Sequence, residues 1–106
     1  MAAKVLGQAA PAATTSTDLY TVPAGKAAVC STLVVCNRSA APASYRLAVR
    51  PAGAALAVAH YQAYGVEIPA NGADFFTIGI TLAATDVVTV YASSADVSFS
   101  LFGDES

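Results

Sequence analysis

Two cysteines, one histidine and seven scattered carboxylates are the side chains of this chain best suited to chemistry, and their spacing limits what each can do. Cys30 and Cys36 lie in AVCSTLVVCNR. Read as a strand, that segment puts both thiols on one face, about 20 Å apart at ~3.3 Å per residue. A disulfide needs Cα atoms within roughly 7 Å, so the two do not pair with each other. Three readings stand: reduced thiols acting as small buried hydrophobes, a crosslink between subunits, or a metal site. The last lacks a nearby histidine or third cysteine. His60 is the one histidine, and nothing around it resembles a nucleophile elbow, so it reads as a satisfied or surface side chain.

The carboxylates Asp18, Glu67, Asp74, Asp86, Asp96 and Asp104 fall mostly at expected turns or strand ends, where Asp bonds its own backbone. Glycoside hydrolysis needs two convergent carboxylates, and whether two of these meet is a matter of the fold. Thr85-Asp86 and Ser93-Ser94-Ala95-Asp96 are too sparse in oxygen ligands for a calcium loop. No glycine loop resembles a phosphate cradle. The expectation is no catalytic, cofactor-binding or metal site, no cofactor, and no enzyme.

What remains is contact chemistry. Arg46 and Arg50 share one face of a strand, about 13 Å apart at ~3.3 Å per residue. They read as a solvated face or as partners of a neighbouring subunit's carboxylates, such as Asp104-Glu105. Tyr61 and Tyr64 suit a half-wet interface, because a tyrosine has an apolar body and a polar tip. With Cys30 and Cys36, these four are the candidate intersubunit contacts. The absence of tryptophan weakens a sugar-stacking reading.

The elements that must carry these residues are β-strands. Short runs rich in Val, Ile, Thr, Tyr and Phe alternate with Pro, Gly, Asn, Asp and Ser punctuation. Lys4 to Gly7 reads as a short edge strand and Gln8 to Thr17 as an extended, uncharged arm or linker. Strands follow at Leu19–Val22, Ala27–Cys36 and Ala43–Arg50, then at Tyr64–Ile68, Ala73–Ile80, Asp86–Tyr91 and Asp96–Phe102. The last two are expected to form a hairpin around Ser93-Ser94-Ala95. The near-continuous apolarity of Ala27–Cys36 predicts a strand covered on both faces. Ala54–Ala63 is ambiguous between loop, strand and a short helical turn. Tyr20-Thr21-Val22-Pro23-Ala24-Gly25 is echoed by Val66-Glu67-Ile68-Pro69-Ala70-Asn71-Gly72, as similar corners of a sandwich would be. The expected architecture is all-β: a single-domain, jelly-roll-like β-sandwich of about seven or eight antiparallel strands. Residues 1–17 form an arm or edge strand with its linker, 18–103 the sandwich and 104–106 an acidic, frayed tail.

Composition points the same way as the contact residues. Only 11% of the 106 residues are charged and 56% are apolar, whereas freely soluble domains average about 25% charged. A domain this small leaves roughly 40% of its unfolded surface exposed, so much of that surface is expected to lie against neighbours. Five spread basic residues and a net charge of −2 argue against nucleic acid. No run approaches the roughly 20 residues that cross a bilayer. MAAKVLGQAA lacks the apolar core of a secretion signal, which predicts release into the cytoplasm of the producing cell.

Leu19-Tyr-Thr-Val-Pro-Ala-Gly-Lys26, Ala28-Val-Cys-Ser-Thr-Leu-Val-Val-Cys-Asn-Arg-Ser39, Leu82-Ala-Ala-Thr-Asp-Val-Val-Thr-Val-Tyr91 and the closing Leu101-Phe102-Gly103 resemble a group of small tailed-bacteriophage virion proteins. The resemblance spans about residues 17–103 and transfers no catalytic residue. It implies a structural protein of the virion, a capsid decoration or cement subunit. The implied partners are copies of itself, as in a homo-oligomer such as a trimer, and other virion proteins such as the major capsid protein. A neck, tail or fibre-associated component is the alternative, and a host-glycan or receptor binding module is an alternative of another class.

Overall fold

The computed structural model describes residues 2–106, without the side chains of Ala2, Ala3 and Ile78. Eight strands form: β1 Ala2–Ala9, β2 Thr17–Thr21, β3 Ala28–Asn37, β4 Ala43–Arg50, β5 Tyr61–Ile68, β6 Ala73–Leu82, β7 Val87–Ala92 and β8 Val97–Glu105. Single turns of 3-10 helix form at Pro51–Gly53 and Val58–His60; the second, followed by the start of β5, falls in the ambiguous segment Ala54–Ala63. No helix among the described residues is long and apolar enough to cross a membrane.

The strands make two four-stranded sheets, β1-β8-β3-β6 and β2-β7-β4-β5. All pairings are antiparallel, and they nest: β1 with β8, β2 with β7, β3 with β6, β4 with β5. A chain folded back on itself in this way and rolled into two layers is a jelly roll. The nesting overturns the expected β7–β8 hairpin. The two strands lie in opposite sheets, and the Ser93-Ser94-Ala95 connection crosses the sandwich instead of turning within a sheet. Only β4 and β5 are both consecutive and paired. The echoed corners do recur: the Pro23 and Pro69 turns each carry the chain from the second sheet to the first. Lys26 and Gly72 close them by donating their N–H groups to the carbonyls of Pro23 and Pro69, at 3.1 and 3.0 Å.

The core lies between the sheets and follows from alternation. Leu33 and Val35 of β3, and Val97, Phe99 and Leu101 of β8, face Tyr45 and Leu47 of β4 and Val88 and Val90 of β7. Tyr45 packs edge-on against Phe99 at 6.1 Å between centroids. Burial of these side chains, about 1.5–3 kcal/mol each, is the main force holding the layers together. Asn37 is a buried polar residue at the end of β3. Its amide nitrogen donates to the carbonyls of Ala41 (2.9 Å), Pro69 (3.2 Å) and Ile68 (3.3 Å), and its oxygen accepts from the Ser39 N–H (3.0 Å). One side chain thus fastens the β3–β4 corner to the β5–β6 corner.

The termini belong to the sheet. β1 runs along β8 from Ala2↔Glu105 to Ala9↔Phe99, longer than the short edge strand expected at Lys4–Gly7. Within the expected linker Pro11 is buried, Thr14 donates its N–H to Ala92 at 2.8 Å, and Thr17 already belongs to β2. The expected frayed tail is likewise ordered: Asp104 and Glu105 belong to β8, and Ser106 exchanges two backbone hydrogen bonds with Ala27. Small side chains let the first strand lie flat on the last, and strand pairing satisfies backbone groups that an arm would leave to water.

Candidate functional site

β4 presents Arg46 and Arg50 on the outside of the second sheet, as alternation predicts, but the sheet gives them different surroundings. Arg50 is engaged within its own chain through four of its five N–H donors. It donates to Asp18 Oδ1 at 2.7 Å, to Thr89 Oγ1 at 3.0 Å, and to the carbonyls of Gly53 and Ala54 at 3.3 and 3.0 Å. Thr89 in turn donates to Asp18 Oδ1 at 3.2 Å. Of the two readings of this face, solvated or paired with a neighbour's carboxylates, Arg50 shows a third arrangement, an ion pair within its own chain. Asp18 lies on the paired edge of β2, so closure of the sheet brings it within reach. The acidic end is also engaged internally: Glu105 accepts from Lys4 Nζ at 3.0 Å and from the Tyr20 hydroxyl at 2.5 Å.

Arg46 has aromatic neighbours instead. Its cross-strand partner on β5 is Tyr64 and on β7 is Tyr91. The guanidinium carbon lies 4.2 Å from the Tyr64 ring centroid and 4.1 Å from that of Tyr91. The two rings flank it from opposite neighbouring strands, each attracting the cation through its π face. Tyr61 stacks edge-on against Tyr64 at 4.9 Å, extending the row to Tyr61–Tyr64–Arg46–Tyr91. Beside it Val58, Tyr61 and Tyr64 line a concavity of about 560 Å³. Val58 is 88% exposed and Tyr64 62%, so the apolar walls face outward. The tyrosines singled out by sequence are thus joined to one of the arginines, and with them stand Val58 and Tyr91, the latter an aromatic whose type suggests core material. Tyr91 was legible by parity: with Val88 and Val90 inward, residue 91 must point out.

The first sheet has an outer face of another kind. Between Phe102 and Ser98 on β8, Thr32 and Cys36 on β3, and Ala73 and Thr77 on β6, the outward side chains include no Asp, Glu, Lys, Arg or His. On its two edge strands, Phe75 of β6 is 70% exposed and Val5 of β1 is 47% exposed. Val29 and Val34 also stand on this face, one exposed and the other half-buried, so β3 is covered on one face and not on two as its apolarity suggested.

The cysteines separate. The register of β3 shifts between Cys30 and Thr32 against both neighbours, a bulge that inserts one residue into the alternation. Cys30 therefore points into the core and Cys36 outward, in place of the shared face expected from a separation of six. Cys30 is fully buried, and that burial pushes its thiol up to about 11. Cys36 is half-buried on the neutral face. His60 accepts a hydrogen bond at Nδ1 from the Ala57 N–H at 3.1 Å. Asp86 accepts from the N–H groups of Ala52 and Ala83 at 2.8 and 2.9 Å, the turn role expected of it. Asp74 accepts from the Tyr45 hydroxyl at 2.8 Å. Among the described residues no three of His, Cys, Asp and Glu gather where one ion could be held.

Fold and surfaces together define a jelly-roll domain with one sheet face that is uncharged in its central region and one arginine–tyrosine face. No protein-family model, curated protein or solved structure matches the chain.

Proposed function

We infer that the chain is a structural protein of a tailed-phage virion: a capsid decoration or cement subunit that works as a small homo-oligomer against the shell. The observation that carries this reading is the outer face of the β1-β8-β3-β6 sheet, whose central positions hold no acidic or basic side chain. A solvated antiparallel sheet normally presents charges outward; a neutral centre flanked by exposed Phe75 and Val5 on the two edge strands favours burial against a partner. The resemblance of the Pro23 corner, the β3 segment and the Leu101-Phe102-Gly103 ending to virion proteins supports the same reading. So does the architecture, since eight-stranded jelly rolls recur in viral coats, although a fold alone assigns no function.

A shell strained by packed DNA gains from added contacts across its joints, and a neutral sheet supplies them through hydrophobic burial with little charge to desolvate. Quantitative mass spectrometry of the particles that contain this chain is the test. Hundreds of copies per particle are expected. A dozen or fewer would move the protein to the neck, tail or fibre, and none would remove it from the virion.

A further inference from the structure

We propose that Arg46, held between Tyr64 and Tyr91, is a carboxylate-recognition site that takes an acidic side chain of a partner protein, with an adjacent apolar side chain filling the Val58–Tyr61–Tyr64 concavity. The inference is independent of the neutral sheet, which lies on the opposite side of the sandwich.

The first reason is what Arg46 lacks. Arg50, Arg38 and Lys4 each donate to an oxygen of their own chain. Arg46 alone among the arginines makes neither a hydrogen bond nor an ion pair with any described residue. Glu67 stands nearby on β5, opposite Ser44, yet forms no ion pair with it.

The second reason is what holds it. Tyrosine rings at 4.2 and 4.1 Å cover the guanidinium and restrict its rotation, leaving its N–H edge for a ligand. That edge is a planar fork matched to the two oxygens of a carboxylate. Much of the entropy normally lost in ordering a long side chain is thus spent in folding, before any ligand arrives.

The third reason is the wall beside it. Val58, Tyr61 and Tyr64 offer apolar surface and two ring faces, with few polar groups to satisfy the many hydroxyls of a sugar. An aliphatic or aromatic side chain fits that lining better. Tyrosine and arginine are also the residue types that dominate binding energy at protein interfaces.

The test uses the full 15N-labelled chain titrated with acetyl-Leu-Glu-Leu-amide, acetyl-Leu-Gln-Leu-amide and N-acetylneuraminic acid, read by NMR at Arg46 Nε–H and at the tyrosine rings. The glutamate peptide should give saturable shifts at Arg46, Tyr64 and Tyr91, and the glutamine peptide should bind at least about tenfold more weakly. Arg46→Lys keeps the charge but loses the fork, and Tyr64→Ala removes one exposed wall. Each should weaken the glutamate peptide by about tenfold while the remaining amide spectrum stays in place. Equal binding of the two peptides, no saturable binding of the glutamate peptide, or binding of the sugar acid alone would overturn the proposal.

Discussion

The Tyr20 hydroxyl donates to Glu105 Oε2 at 2.5 Å, joining the second strand to the last across the two sheets of the sandwich. Lys4 reaches the other carboxylate oxygen at 3.0 Å from β1. One side chain at the end of the last strand thereby ties β1, β2 and β8 together at one corner of the roll. Burial, reinforced by the Glu105 bond, holds the Tyr20 phenol above its ordinary value of 10.0.

This corner sets a pH dependence. The Tyr20 hydroxyl first, and Lys4 second, hold the Glu105 carboxyl below its ordinary value of 4.5. A group whose folded value is depressed adds stability that is present above 4.5 and is lost as pH falls through the folded value. Urea midpoints should therefore decline as pH drops below 4.5, and Glu105→Gln should flatten the part of that decline that belongs to this carboxyl. An identical acid profile for the two proteins would remove the corner from the account.

Asn37 should be costly to replace. Asn37→Ala leaves the carbonyls of Ala41, Ile68 and Pro69 without their shared donor and uncouples two corners. A loss of about 2–3 kcal/mol is expected, because buried acceptors then go unsatisfied. Urea unfolding at neutral pH measures it, and a change below about 0.5 kcal/mol would mean the corners hold without it.

Gly103 and Gly25 should respond differently to alanine. A Cβ at Gly103 would meet the Val29 carbonyl and Cys30 Cα, where β8 passes the bulge of β3. No heavy atom lies within 4 Å of a Cβ at Gly25, whose φ of +77° carries the only penalty. Gly103→Ala is expected to cost about 3 kcal/mol by overpacking, against about 1 kcal/mol for Gly25→Ala. Thermal unfolding of the two variants side by side checks the order.

The cysteines give a readout of the neutral face. One thiol per free folded chain, Cys36, should react with an aromatic disulfide reagent, and Cys30 only after unfolding. In intact particles Cys36 should be protected if the neutral sheet is the seat against the shell. Equal reactivity of Cys36 in particles and in the free chain would turn that face back to solvent.

The one-dimensional pattern determined which residues of β4 and β8 face the core. Tyr45, Leu47 and Val49 against Arg46 and Arg50, and Val97, Phe99 and Leu101 against Ser98 and Ser100, follow from the two-residue repeat of a strand. The Pro23 and Pro69 corners were legible for the same local reason, since φ and hydrogen bonding within a turn depend on few residues.

Only the tertiary structure decided who stands beside whom. Alternation encodes a face and carries no information about a neighbouring strand, so β7 and β8 read as a hairpin although they lie in opposite sheets. A bulge at Ser31 and Thr32 reversed the parity that had put Cys30 and Cys36 together, because one inserted residue flips every side chain beyond it. Likewise Arg46 and Arg50 look equivalent along β4. The pairing of β5 and β7 with that strand gave Arg46 two aromatic rings, and β2, paired to β7 beyond it, gave Arg50 a carboxylate.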